Sequence, residues 1–488
     1  MLSRVWRAAA LGLGSALLFS CGFPPLELAP ISWIALVPLF AVVLRRDATE
    51  REIGWAGGVF GFVVFAVGLR WFFEIFGLPA LVLWAFLAWL TARTLWLAWR
   101  AGQRWGDRGL VLALPVFWVG LEHFRSECWF LKFGWITPGY AQASDPRVLQ
   151  SAEMLGVYGL SFVVVLVSAL VAWSLVRPDA PARARVLAAL SLPLTYAVLA
   201  GYGAFRIETL APTLEREETI SVALVQYETN RFEDAEAHLS EDVPPGTALV
   251  VFPELGAVTR EGHLTWLDAR AEDLAAHARN HRAVLVVGGE REAPGGNPIT
   301  DFYNTLAIFD PEAEAPAYYT KAEPVPLFAD GVPSDDVHAY DTSLGRLGFA
   351  ICYDFTHPHV VDALVPSRAF VVASGDLASW SELQHAQHAL VPHVRAVEHR
   401  RWVARATSSG TSQIVDPLGR VRAELGFGET GVLAGTLGLR DETTLYDLVG
   451  LWPARAALVA WLAMIALELR TGWRARRSRP ALRQMPRP

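Results

Sequence analysis

The sequence predicts two unlike parts: a polytopic α-helical membrane domain of about eight spans, and a layered α+β domain held between the seventh span and the eighth. Three observations predict it. Apolar residues make up 53% of the 488, with 19 Trp and 25 Phe, more than a water-soluble protein uses. A train of apolar segments with short Arg-containing links fills about 8–205, and one more lies at about 447–468. Between them, about 206–446, short apolar runs alternate with polar stretches, as strands and helices do.

The expected spans are 8–23, 26–44, 53–69, 78–99, 109–125, 156–176, 187–205 and 447–468, several of them near the roughly 20 residues a crossing helix needs. The first is short, and the last carries Arg455. "MLSRVWRAAALGLGSALLFSCG" looks like a lipoprotein signal ending at Cys21, but "FPPLELAPISWIALVPLFAVVL" follows at once. The opening therefore reads as a retained helix.

Charge sets the orientation, because cytoplasmic links collect Lys and Arg. With the N-terminus inside, the inside segments hold Arg4, Arg7, Arg45, Arg46, Arg51, Arg100, Arg104, Arg108, Arg177, Arg183 and Arg185. The outside links hold only Arg70, Arg125, Lys132 and Arg147, and the Arg-rich tail after the last span is again inside. The polar stretch then lies on the far side of the membrane. The net charge of −7, with no basic, aromatic-laced patch, gives no sign of a nucleic-acid partner.

The cysteines Cys21, Cys128 and Cys352 lie far apart, with neither metal-ligand nor disulfide spacing. Cys21 and Cys128 fall in apolar segments and are expected to be small buried hydrophobes. Cys352 is different: a lone thiol on the oxidising side of a membrane points to chemistry, because structural cysteines there come in pairs. The outward loop 126–155 carries Trp129, Phe130, Phe133, Trp135 and Tyr140, which suit either a membrane interface or a lipid entry path.

In the polar stretch the expected strands are "TISVALVQ", "TALVVFPE", "AVLVVGGE", "NTLAIFD", "RLGFAICYD", "AFVVASGD", "RWVARATSSG" and "GVLAGTLG", with helices at about 262–280, 357–367 and 383–400. Three elements end on a reactive group: Glu254 after "ALVVFP", Cys352 after "GRLGFAI", and Lys321 after "AYYT". Residues just beyond strand ends are where layered folds assemble sites. The Lys is itself a signal, since the chain has only Lys132 and Lys321 against forty arginines. An ammonium is compact and its pKa moves on burial, which guanidinium cannot match.

The three types suit covalent catalysis. A thiol at a strand–helix junction can face the positive end of a helix, which favours thiolate. A desolvated carboxylate can take its proton, and an ammonium can stabilise a tetrahedral oxyanion. Each also has a plain alternative: Glu254 as a loop acid, Cys352 as a buried apolar residue, Lys321 as a surface charge. Spacing does not link them.

"VVFPE", "YYTK" and "GFAICYD", in that order, resemble the Glu–Lys–Cys triad of the nitrilase superfamily. With membrane segments on both sides, the chain resembles the bacterial apolipoprotein N-acyltransferases. The likeness extends to "LFSCGFPPLELAPISWIALVPL", "MLGVYGLSFVVVLV", "VRAVEHRRWVARATSSGTSQIVDPLGRV" and "TTLYDLVG". The resemblance implies a nitrilase-like αββα sandwich at 218–442, a membrane domain at 1–206, a last span at 443–470 and a basic cytoplasmic tail at 471–488. It implies Glu254 as general base, Lys321 as oxyanion stabiliser and Cys352 as nucleophile, supported by Asp330, Tyr353 and Asp354. An acyl chain would pass from a phospholipid to Cys352 as a thioester, then to the α-amine of a diacylglyceryl-cysteine lipoprotein. No cofactor or metal is implied, and the place is the bacterial inner membrane with the sandwich facing the periplasm.

The chain departs from the family pattern around the triad. Asp330 in "EPVPLFADGVP" and Asp354 after "CY" stand where Glu is usual, and "SGDLASWSELQH" replaces a pattern closer to "SNDxWFG". The early loop "QYETNRFEDA" lacks the family Trp, with Phe232 the nearest aromatic. These departures leave a second outcome open: a membrane-tethered acyltransferase or amidase with another acceptor.

Overall fold

The computed structural model describes residues 2–228, 237–239, 241–256, 267–293 and 302–477; Phe232 and the start of the helix expected at 262–280 lie outside them. Every expected span is helical, but not every one is a single long helix. The helices Leu2–Ser20, Glu50–Gly68, Ala152–Val176, Ala182–Leu214 and Trp452–Arg477 each cover one. The segment 26–44 is instead two short helices, Ala29–Ala35 and Val37–Leu44, because Pro30 and Pro38 each begin a new helical turn. The expected pair 78–99 and 109–125 is present as two helices within Pro79–His123, parted at Gly106, whose φ of 68° and ψ of −165° leave helical geometry. Among the described residues, five helices are long and apolar enough to cross a membrane.

Small residues set the packing. A Cβ at Gly57 would lie 2.8 Å from the Cα of Ala92, and one at Gly61 2.7 Å from the Cα of Ala88. Glycines four apart thus let two helix backbones meet along the seam that lipid-embedded helices use. The segments assigned to the inside also gather. Arg46 pairs with Asp179 at 2.5 Å, Arg177 with Asp107 at 2.8 Å, and Arg104 with Glu468 at 2.6 Å. Lys132, assigned to the outside, pairs instead with Glu323 of the polar stretch.

That stretch is a sandwich of two six-stranded sheets. One runs β12(Gly431–Gly438), β1(Thr219–Gln226), β2(Leu249–Val251), β3(Val284–Glu292), β4(Phe302–Phe309), β5(Ala317–Thr320); the other runs β11(Val421–Leu425), β10(Ser412–Val415), β9(Trp402–Thr407), β8(Ala369–Ser374), β7(Gly345–Ile351), β6(Ala339–Thr342). β1–β2–β3 and β7–β8–β9 are parallel. Side chains alternate between faces, as strand geometry requires. Leu249, Val251, Val284 and Val286 pack with Leu347, Phe349 and Ile351 between the sheets, while Val250, Leu285 and Val287 face Leu274 and Ala278 of the helix Ala271–His281. On the second sheet, Phe370 meets the rings of Phe355 and His399 beneath the helix Val391–His399. The order is helix, sheet, sheet, helix.

The helix expected over 383–400 is two, Glu382–Ala389 and Val391–His399, because Pro392 restarts it. Cys21 is half-buried and Cys128 exposed, contrary to expectation, since both sit at helix ends rather than mid-span. Buried polar staples join the sandwich to the helices. Arg400 reaches Glu153 at 2.6 Å, and Glu398 accepts from the Val157 amide at 2.7 Å.

Candidate active site

Glu254, Lys321 and Cys352 each follow a strand end, after β2, β5 and β7. The corner after β2 fits because β3 passes close with a glycine: a Cβ at Gly288 would lie 2.9 Å from the Cα of Glu254. The Glu254 carboxylate is gripped on both oxygens. Oε1 accepts from Lys321 Nζ at 2.6 Å and from Asn304 Nδ2 at 2.7 Å, and Oε2 accepts from the Gly375 amide at 2.7 Å. Lys321 is 1% exposed, and its Nζ lies 2.6 Å from Asp330 Oδ2 as well. The structure thus brings Glu254 and Lys321 into direct contact.

Asp330 reaches the site despite its shorter side chain. Gly331, at φ 91°, approaches β4 so closely that a Cβ there would lie 2.9 Å from the Asn304 amide nitrogen. That approach sets Asp330 against Asn304 Nδ2 at 2.8 Å and against the Val325 amide at 2.6 Å. The loop backbone makes up for the missing methylene.

Cys352 is 3% exposed and holds φ 48°, a left-handed conformation that a non-glycine residue adopts only when its surroundings impose it. The expected help from a helix N-terminus is not what governs this thiol. The residues that follow form a 3-10 turn, Cys352–Thr356, and then only the short helix Pro358–Ala363. Burial, reinforced by the Glu254 charge and opposed by Lys321, pushes the Cys352 thiol well above its ordinary range. At rest Cys352 is therefore a thiol, and it would act as a nucleophile only with a base beside it.

Glu254 fits that task. Burial raises its pKa, Lys321 opposes the rise, and Asp330 adds to it. Burial would lower Lys321, but Asp330 and Glu254 outweigh it and hold the ammonium charged. The result is a carboxylate of raised basicity beside a permanent cation, an arrangement suited to proton transfer plus oxyanion stabilisation.

Tyr353 and Asp354 tie the elbow down. Asp354 accepts from Tyr319 OH at 2.7 Å, the Glu323 amide at 2.7 Å and the Ile351 amide at 3.2 Å, while burial lifts its pKa to about 6. Tyr353 OH donates to the Lys132 carbonyl at 2.7 Å, fixing the aromatic loop of the helical part against the elbow. Sequence reasoning missed Asn304, inside β4, and the trio Asp376, His388 and Arg405. Asp376 Oδ1 lies 2.8 Å from His388 Nδ1, and Arg405 pairs with Asp376. Their ligating atoms and the Cys352 sulfur fall within 4.8 Å of one another for Asp376 and His388. "SGD" at a strand end was the available signal for Asp376; nothing local marks the other two.

The thiol opens on an apolar cavity shared by both parts. Trp71, Phe72 and Phe76 come from the helix Arg70–Phe76, Phe133 and Trp135 from the aromatic loop, and Phe328 from the loop carrying Asp330. Of the two roles left open for the loop aromatics, Phe133 and Trp135 line the cavity, whereas Trp129 stacks on Phe86 and Phe130 is exposed. Phe328 packs at its mouth by ring contacts at 5.3 Å to both Phe76 and Trp380. The empty space between these residues is about 550 Å³, and it includes open solvent.

The same division appears in comparisons with known proteins. The family model described as the apolipoprotein N-acyltransferase N-terminal domain matches residues 15–170, and the carbon-nitrogen hydrolase model matches 221–445. An apolipoprotein N-acyltransferase of Azotobacter vinelandii is 29% identical over 95% of this chain and 96% of its own. Another, of Gloeobacter violaceus, is 29% identical over 96% and 95%. The chain belongs to the apolipoprotein N-acyltransferase family. As a member of that family it is an enzyme, with its carbon-nitrogen hydrolase fold set among membrane-type helices. The family's Geobacter metallireducens relative is 26% identical over 92% of this chain, so the likeness again spans both parts.

Proposed function

We propose that this enzyme N-acylates lipoproteins by a two-step reaction through Cys352, with a membrane phospholipid as donor. The observation that carries the reading is the buried Glu254–Lys321 pair at 2.6 Å, placed behind a thiol whose cavity is walled by aromatics of the helical part.

In the first step Glu254 takes the Sγ proton and the thiolate attacks a phospholipid ester carbonyl. Lys321 stabilises the oxyanion. The tetrahedral adduct collapses, the lysophospholipid oxygen leaves with the proton from Glu254, and a thioester remains on Cys352. In the second step the α-amine of a diacylglyceryl-cysteine attacks the thioester carbonyl. Glu254 removes a proton from the amine and returns it to the departing sulfur, leaving an amide and the free thiol. A resting thiol with a raised pKa suits this cycle, since it is protected from oxidation until substrate arrives.

Glu254, Lys321 and Cys352 carry the chemistry in this reading. Asp330 raises the basicity of Glu254, and Tyr353 with Asp354 holds the elbow. The segregation of arginine supports a bacterial inner-membrane location with the sandwich on the periplasmic side.

The test is a chase. Full-length protein in detergent is loaded from a phospholipid bearing a labelled acyl chain, then given a diacylated lipopeptide with a free N-terminus. Transfer of label to that amine is expected, and an N-acetylated lipopeptide should accept none. Discharge to water alone, with the free-amine lipopeptide ignored, would replace the acyltransferase reading with a hydrolase.

A further inference from the structure

Glu127 ends the helical run that begins at Pro79, and His357 and His359 follow Cys352 on the first turn of the next helix. One ligating atom from each of the three lies within 4.8 Å of the others. His357 is 1% exposed, and among the described residues neither of its ring nitrogens has a hydrogen-bond partner. A buried imidazole without partners loses free energy unless something unseen satisfies it.

The second histidine bridges two carboxylates. His359 Nδ1 lies 2.5 Å from Glu127 Oε2, and its other nitrogen, Nε2, lies 3.1 Å from Glu323 Oε1. Glu323 in turn pairs with Lys132. A cation bound between Nδ1 and Glu127 would displace the proton that now joins them, leaving the Nε2–H to donate to a carboxylate held in place by its own partner. This is the outer arrangement that fixes ring angle and tautomer in histidine–metal sites.

We propose that Glu127, His357 and His359 form a site for a divalent cation of the zinc class, with Glu323 orienting His359. Two imidazoles and a carboxylate are a donor set that Zn²⁺ accepts, leaving a fourth position for water. The site joins the end of a membrane-type helix to the segment just beyond the nucleophile, and the ion staples the elbow to the helical part. No single motif marks it in the sequence, because Glu127 comes from a distant segment.

The cysteine site is the competitor, since Cys352, Asp376 and His388 also bring ligating atoms together. The experiment therefore uses full-length Cys352→Ser in detergent, stripped with chelator and titrated with Zn²⁺, then with Co²⁺ to read the visible ligand-field spectrum. One Zn²⁺ per chain is expected, with a rise in unfolding temperature. His357→Ala in the same background should weaken binding by ~100-fold and abolish the rise, and Glu323→Gln should weaken it about tenfold. If His357→Ala does not accumulate, His359→Gln, at a half-buried position, must show the same loss. Zinc held by the wild type but not by Cys352→Ser places the ion at the nucleophile and overturns the proposal. Binding that survives both histidine variants, or no stoichiometric binding at all, overturns it equally.

Discussion

Gly375 donates its backbone N–H to Oε2 of Glu254 at 2.7 Å, and a Cβ at position 375 would lie 2.7 Å from that same oxygen. The Glu254 carboxylate is therefore aimed by the backbone at the end of β8, on the opposite sheet, with no room for a methyl group. Gly375→Ala is expected to displace the carboxylate and slow thioester formation by about 10²-fold, the scale of an ångström-sized misplacement. The unfolding temperature should change little. Single-turnover labelling checks this, and a normal rate would mean that Glu254 is not aimed from Gly375.

Lys321 is enclosed by Glu254, Asp330 and the backbone of β4. Lys321→Arg keeps the charge but cannot fit a planar fork into the space of an ammonium. Thioester formation is expected to fall by ~10²–10³, the scale for losing one oxyanion donor. Rates within a few fold of wild type would show that charge alone suffices.

Asp330→Asn removes a negative charge that raises Glu254. Thioester formation needs Glu254 ionised, so the rate climbs as pH rises through its pKa. With Asp330 neutral that pKa drops, and the acid limb of the pH–rate profile should move to lower pH. The profile of single-turnover rates checks the sign. A limb that stays put or moves upward would detach Asp330 from the base.

Phe328 packs between Phe76 and Trp380 at the mouth of the cavity. Phe328→Ala should admit water, so the acyl-enzyme, trapped without acceptor, is expected to decay several-fold faster than wild type. An unchanged half-life would show that the ring excludes nothing.

Glu254, Lys321 and Cys352 were legible as candidates because each stands just beyond a short strand, where a polar residue breaks an apolar run. Most strands were legible for the same reason. β5, β6, β10 and β11 were not, since "AYYT", "AYDT" and "SQIV" are only four residues long and "VRAEL" places charges on its open face. Asn304 was hidden because its role depends on β4 lying between β3 and β5, a register no local pattern encodes. His388 and Arg405 meet Asp376 only through tertiary packing. The expected thiolate at a helix N-terminus failed on a physical point: the helix is short, and burial beside a carboxylate dominates the thiol.

The most direct measurement is the intact mass of the full-length enzyme after one exposure to a phospholipid of defined acyl chain. We expect one added acyl group, removed by neutral hydroxylamine, on the peptide containing Cys352, and none on Cys352→Ala. An equal adduct on the Cys352→Ala variant, or an acyl group on another residue, would contradict the account.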